Sequence, residues 1–437
     1  MASSFSRQLP LLILGTACIS ALVWLGLKKP SATAPAPAPA PAPEPALSIL
    51  AAAPDWQELD IYQKTISRQD FEKLLTTVFT TGERWKEFIR ITDREAIIRT
   101  GPDERFPDFH LEFADGKTLL PTPRHWRTIA ELPPALPEKP LDDLKIAIDP
   151  GHIGGAWAKM EERWFILDGG TPVCEGDMTL HVAKLLKPQL EALGATVFLV
   201  RDKPEPVTPL RPASLMSTLH QDSPGPDESP ASLQKLAERL FYRTAEIRAR
   251  AQIVNEQLKP DLVLCLHFNA EAWGNPNQPT LIDRTHFHLL LNGAYNDEEV
   301  SLADQRFAML KKLLQRTHEE EVTVGIPIAE SFAKISELPP YTYHSINRNV
   351  LPVQGHPYLW ARNLLANRLY DCPVIFMEPY VMNSVQDYNR IQAGDYQGLR
   401  LVNGKEVPSI FHEYATGLAI SLADHYRTAR SGTNIER

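Results

Sequence analysis

Cysteine is scarce in this chain, with four in 437 residues. Cys18 falls inside an apolar N-terminal run, which leaves Cys174, Cys265 and Cys372 for the rest of the protein. Three thiols cannot all pair and their spacing matches no zinc-finger pattern, which argues against a disulfide framework. They read instead as small buried hydrophobes. Positive charge is also in deficit: 45 Lys and Arg stand against 54 Asp and Glu, a formal net charge of −9. A nucleic-acid-binding face needs basic residues, so no nucleic-acid partner is expected. Hydrophobic residues at 43% and charged residues at 23% are ordinary for a globular protein. The length allows two or three domains with a sizeable core.

Proline is in excess, and much of it lies in one tract. Residues 1–30 contain an apolar run from Leu9 to Leu27, long enough to cross a bilayer. They read as a membrane anchor or an export signal. The anchor is favoured because the run is long for a signal and a lysine pair and Pro30 precede any small-residue cleavage site. Arg7 and Lys28-Lys29 leave the orientation open. Residues 31–54 form a Pro/Ala-rich linker, whose Ala-Pro alternation predicts an extended polyproline-II spacer.

Residues 55–140 predict a small α+β domain of unassigned role. Ser67 and Asp70 start a helical pattern that runs through Phe79, and strands are expected around 88–91, 95–99 and 109–113. Trp56, Trp85 and Trp126 are the expected core, and the prolines of 132–140 mark a boundary. From residue 141 to 430 the pattern becomes that of an α/β fold, a central mostly parallel sheet flanked by helices. A helix is expected over 178–193 with a kink at Pro188, and further helices over 233–258, 300–321 and 356–369. Residues 203–232 and 324–355 read as loops or insertions.

Three apolar runs in this region end in side chains that carry chemistry. Lys145-Ile-Ala-Ile-Asp-Pro-Gly-His152 ends on a histidine after a turn. Asp261-Leu-Val-Leu-Cys-Leu-His267 also ends on a histidine, and Pro373-Val-Ile-Phe-Met-Glu378 ends on a glutamate. Open α/β sheets bind their ligands at the carboxyl ends of strands, so these residues point to one site at one sheet edge. Imidazole and carboxylate are zinc ligands, and a catalytic zinc keeps one position open for water. A separate carboxylate then moves the proton.

At these residues the chain resembles the zinc-dependent N-acetylmuramoyl-L-alanine amidases of the Amidase_3 type, which hydrolyse peptidoglycan. Ile148-Asp-Pro-Gly-His152 is similar to the family's first ligand motif. Glu175-Gly-Asp-Met-Thr-Leu180 resembles its Glu-x-Asp-x-x-Leu element, and Leu266-His-Phe-Asn-Ala270 its His-x-Asn-Ala signature. Pro373 to Asn383 resembles the final strand. The resemblance implies Zn2+ held by His152, Glu175 and His267, with Glu378 as the catalytic carboxylate. Asn269, Asn383 and Asp149 are the expected supporting residues, Asp149 fixing the His152 ring or its turn. It further implies peptidoglycan as substrate and an exported, periplasmic or cell-envelope location, with the N-terminal segment tethering the protein to the inner membrane. A protein activator is among the partners it allows.

The chain departs from the family pattern at Ile153, where Gly-His-Gly-Gly is usual, and at Gly176, where Glu-Lys is usual. Insertion-like stretches follow Asn269 and span 324–355. Simpler readings stand beside these. Glu175 suits the first turn of any helix through the helix dipole. His181, His286 and His288 read as structural, and Arg250 as half of a buried ion pair. Two rival functions remain: a non-catalytic wall-binding scaffold that keeps the fold, and a zinc hydrolase of another amide.

Overall fold

A computed structural model describes residues 46–116, 118–221, 229–273, 279–343 and 349–431. The expected membrane segment at 1–30 and most of the linker lie outside the described residues. Among the described residues no helix is long and apolar enough to cross a membrane. Pro43–Arg437 forms one compact unit.

Three short strands open the chain as an antiparallel meander: β1 (Ile89–Ile91), β2 (Glu95–Ile98) and β3 (Phe109–Glu112). Before them, the helix Arg68–Leu74 is capped by Ser67, whose hydroxyl accepts the Asp70 amide at 3.1 Å. Phe71, Leu75, Phe79, Trp85, Ile98 and Leu111 form the core here. Tyr295, Val300, Met309, Leu310, Leu313 and Leu314 belong to the same cluster, so residues 55–140 share their core with a segment about two hundred positions later. Trp126, expected in this core, packs instead against Ala147, Val263 and Val374. The neighbouring Arg127 binds Asp261 through its amide and guanidinium (3.0 and 2.8 Å), which draws this stretch onto the sheet.

The rest is an α/β fold. After β4 (Lys145–Pro150) come a small ribbon of β5 (Trp164–Phe165) and β6 (Val173–Cys174), then β7 (Thr196–Leu199), β8 (Leu262–Leu266), β9 (Phe287–Leu291), β10 (Leu351–Pro352), β11 (Leu359–Ala361) and β12 (Val374–Pro379). The main sheet has seven strands in the order β10-β11-β9-β12-β8-β4-β7. β7, β4, β8 and β12 run parallel, and β9 is antiparallel to β12.

Strand side chains alternate between the faces, so each apolar run serves two layers. Ile146, Ile148, Leu262, Leu264, Ile375 and Met377 meet the helices Glu175–Ala192, Thr317–Ser336 and Ile410–Ala429. Ala147, Val263, Cys265, Val374 and Phe376 face the other way, against Ala251, Val254, Ala366 and Tyr370. Each Val, Leu, Ile, Met or Phe among them contributes about 1.5–3 kcal/mol by leaving water.

Three helix expectations change. The helix expected over 178–193 begins earlier, at Glu175, and spans Glu175–Ala192 with Pro188 inside it. The stretch 300–321 is divided among helices Asp297–Ser301, Ala303–Gln315 and Thr317–Ser336, with Arg316 in a left-handed conformation (φ 62°) at the last break. Thr317–Ser336 extends well into the segment expected to be irregular. Gly325 and Pro327 read as breakers locally, yet Val322, Ile328, Ala329 and Phe332 recur at helical spacing and bury against the sheet. Residues 356–369 hold strand β11 and only a short helix, Leu365–Leu369, because Leu359 to Ala361 pair in parallel with Leu289 to Leu291.

Glu320, on the long helix, carries a pH prediction. It is 7% exposed and its Oε1 accepts the Ile129 amide at 2.8 Å. Burial pushes its carboxyl up to about 7, outweighing that hydrogen bond and the nearby Arg124. A folded-state pKa above the unfolded value means that stability is full below about pH 4.5 and is lost as pH rises through 7. Glu320→Gln keeps the acceptor and loses the charge. At pH 8 the variant is expected to be more stable than the parent by about 1–3 kcal/mol, with the difference vanishing near pH 4. Urea unfolding at both pH values measures it, and parallel stability curves would refute the assignment.

Candidate metal centre

Strand register builds the site. Pro150 pairs with Leu266, and Leu266 pairs with Met377 on its other side. The next residues along these adjacent strands are Gly151, His267 and Glu378. They stand in one row at the carboxyl edge of the sheet, with strands about 4.8 Å apart. Gly151 is required there: a Cβ would lie 2.3 Å from the His267 ring. One residue on, His152 takes a left-handed conformation (φ 60°) that turns the chain over the sheet edge.

Glu175 opens the helix Glu175–Ala192 and reaches both histidines. Its Oε2 is 3.1 Å from His152 Nε2, and its Oε1 is 3.1 Å from His267 Nδ1. Donor atoms of the three residues all lie within 4.8 Å of one another. Glu175 is buried, both histidines are partly buried, and Phe376 stacks on His267 with ring centroids 4.3 Å apart. Glu378 lines the same cleft of about 290 Å3.

The loop after His152 is held from several sides. The Ile153 and Gly154 amides donate to the Glu161 carboxylate at 2.9 and 3.0 Å, and the Gly155 amide donates to Asp177 Oδ1 at 2.8 Å. Thr179 Oγ1 donates to the Gly151 carbonyl at 2.7 Å. Ile153 is fully buried among Leu215, Leu219, Ala237, Leu240 and Phe241. That residue thus wedges the ligand loop against the helices Pro212–Gln221 and Pro230–Leu240 and the turn Phe241–Ala245 that continues the second. Gly176 answers the same approach: a Cβ there would meet the Gly154 amide nitrogen at 2.3 Å. The two departures from the family pattern face each other across one contact.

Behind the loop, Arg250 is buried with its donors engaged. Its Nη1 reaches Asp149 Oδ1 at 2.9 Å and the Pro150 carbonyl at 2.8 Å; its Nη2 reaches the His152 carbonyl at 2.7 Å and its Nε reaches Glu246 at 2.8 Å. The Tyr370 hydroxyl donates to the other Asp149 oxygen. Asp149 therefore supports the His152 turn through Arg250. Asn269 lines the cleft while its side chain accepts the Ala270 amide. Asn383 is buried and holds Glu271 by two bonds of 3.0 and 2.8 Å, so it shapes the cleft wall from behind.

Electrostatics follow from burial. Burial disfavours the His152 cation, but Glu175 and Glu161 outweigh it and raise the imidazole to about 9. Burial disfavours the Glu175 charge, and the His152 and His267 contacts still draw it well below the usual range. Burial, and then the Glu175 charge, push Glu378 up to about 8. A carboxyl poised near neutrality beside a pair of imidazoles has the character of a proton-transfer group.

Glu161, Arg163 and Glu271 were missed by sequence reasoning. Glu161 and Arg163 sit in a stretch without periodicity, and Glu271 follows a motif without belonging to it. His286 binds Glu271 at 3.1 Å and His288 binds Tyr343 at 3.1 Å, while His181 pairs with Asp395 at 3.0 Å near the surface. None of these three belongs to the ligand group.

The family Amidase_3, described as N-acetylmuramoyl-L-alanine amidase, matches residues 146–399, more than half of the chain. No curated protein matches it. Among solved structures, the chain is similar to the amidase Ami1 of Mycobacterium abscessus, at 17% identity and a TM-score of 0.36, over 65% of this chain and 99% of that one. It is similar to the CwlD amidase of Clostridioides difficile, solved in complex with the GerS lipoprotein, at 13% identity and 0.36, over 65% and 98%. A third is AmiC2 of Nostoc punctiforme, at 15% and 0.33, over 64% and 96%.

Proposed function

The chain belongs to the Amidase_3 family of N-acetylmuramoyl-L-alanine amidases, and from that premise we propose that it hydrolyses the amide between N-acetylmuramic acid and the L-alanine of the peptidoglycan stem peptide. The observation that carries this reading is the convergence of His152, Glu175, His267 and Glu378 on one cleft. Two imidazoles and one carboxylate within reach of a common point suit zinc in donor chemistry and in number, leaving a position open. Zinc held there would acidify a water molecule and polarise the amide carbonyl.

The chain's own residues do the rest. Glu378 takes a proton from the attacking water and passes it to the departing amine, the usual work of a carboxyl whose pKa is tuned toward neutrality. Glu161 and Arg250 hold the backbone on either side of His152, so the ligand loop is set before any metal arrives. Gly151 keeps space for the His267 ring. We place the enzyme outside the cytoplasm, with residues 1–30 as its tether to the inner membrane and 31–54 as the spacer that gives it reach. A protein activator stands among its partners in this reading.

Metal analysis of the purified protein together with digestion of isolated peptidoglycan tests the reading. One zinc per chain and the release of free stem peptides are the expected results. Absence of zinc would favour the scaffold, and zinc without released stem peptides would favour another amide.

A further inference from the structure

Arg163 stands where two openings meet at the ligand cluster. One is a cavity of about 210 Å3 walled by Tyr242, Ile247, Leu365 and Phe376. The other is the cleft of about 290 Å3 that holds Asn269, Glu271 and Glu378. His152, His267 and Arg163 line both.

The backbone at Arg163 is pinned: its amide donates to the Ala158 carbonyl at 3.0 Å, and its carbonyl accepts the Glu175 amide at 3.2 Å. From that fixed base its Nε lies 3.3 Å from Glu175 Oε2, and its Nη1 donates to the Glu162 carbonyl at 3.1 Å. Its Nη2 makes no hydrogen bond among the described residues, and the side chain is 38% exposed. Two other arginines nearby, Arg250 and Arg284, are committed elsewhere. Arg250 is occupied behind the loop, and Arg284 pairs with Glu271 at 3.6 Å from a largely exposed position.

Amide hydrolysis moves negative charge onto the carbonyl oxygen as water adds to the carbon. A preorganised donor aimed at that oxygen accelerates such reactions by about 10²–10³ in kcat. We propose that Arg163 is a further catalytic residue, its guanidinium donating to the carbonyl oxygen of the scissile amide as the tetrahedral intermediate forms. This rests on the amide-hydrolase reading above. Water adds its oxygen to the carbonyl carbon, Glu378 carries the proton to the amine nitrogen, the C–N bond breaks, and Arg163 keeps all its protons throughout.

The test compares Arg163→Met and Arg163→Lys with the parent as zinc-loaded, full-length protein. Stem-peptide release gives kcat and KM, elemental analysis gives zinc per chain, and a phosphinate analogue of the muramoyl-alanine bond reports transition-state binding. Arg163→Met is expected to lose about 10²–10³ in kcat with KM little changed, to weaken the phosphinate by a similar factor and to keep its zinc, with Lys recovering part of the loss. Loss of zinc in Arg163→Met would reduce the residue to a support for Glu175 and overturn the proposal. Unchanged kcat, or a kcat loss without weaker phosphinate binding, would overturn it too. A parent protein that releases no stem peptide is a different result: it sinks the amide-hydrolase reading, and this proposal with it.

Discussion

Glu378→Ala is expected to lower kcat on peptidoglycan by about a thousandfold while the protein still binds zinc. The carboxyl sits on β12 one position beyond Met377, in the row that β8 and β4 complete, and it lines the cleft beside the three candidate ligands. It lies outside their cluster. Its removal therefore takes away the proton acceptor and leaves the donors in place. Glu378→Gln, which keeps the shape of the side chain and loses its basicity, should be nearly as inactive. Both variants should keep the parent's melting temperature within a few degrees. Isothermal titration with zinc beside initial-rate kinetics distinguishes the roles: a variant that no longer takes up the metal would make Glu378 a ligand and require a different base.

Arg250→Met should destabilise the protein by about 3–5 kcal/mol, because it strands two buried carboxylates, Asp149 and Glu246, and the carbonyls of Pro150 and His152. Breaking a buried pair from one side costs more than the pair is worth, since the remaining charges have no water to replace their partner. For a chain of this size that loss corresponds to a fall in melting temperature of about 3–6 °C. Zinc affinity should fall as well, since Arg250 holds the carbonyl of a ligand residue. Arg250→Lys keeps a charge but not the planar fork that serves four acceptors, so it should fall between the two. Chemical denaturation with and without zinc measures both effects. A loss below about 1 kcal/mol would mean that water replaces the guanidinium and that the buried network is not the support described.

Much of this site was legible in the chain. A strand that stops at Asp-Pro-Gly, a glutamate that opens a helix, and apolar runs that end in His267 and Glu378 are local features, governed by turn chemistry and by the two-residue period of a strand. Arg250 as a buried ion pair was legible for the same reason, since a charged residue inside an apolar helical pattern needs a partner. Other features were not. Gly325 and Pro327 hid a helix that is sustained by burial against the sheet and the helix Ile410–Ala429. Trp126 left the expected core because Arg127 is held by Asp261, a contact across more than a hundred residues.

The sequence by itself determined the α/β class, the succession of the central strands along the chain and which residue types stand at their ends, because periodicity and turn residues act over a few positions. It also carried the motifs that place the chain in its family. Only the tertiary structure decided that β4, β8 and β12 are neighbours, and so that His152, Glu175, His267 and Glu378 converge. It alone showed Ile153 wedged among the helices Pro212–Gln221 and Pro230–Leu240, Gly176 yielding to the ligand loop and Arg163 lining the cleft. Strand order and register are set by side chains from distant segments burying one another, and no short window of sequence contains both halves of such a contact.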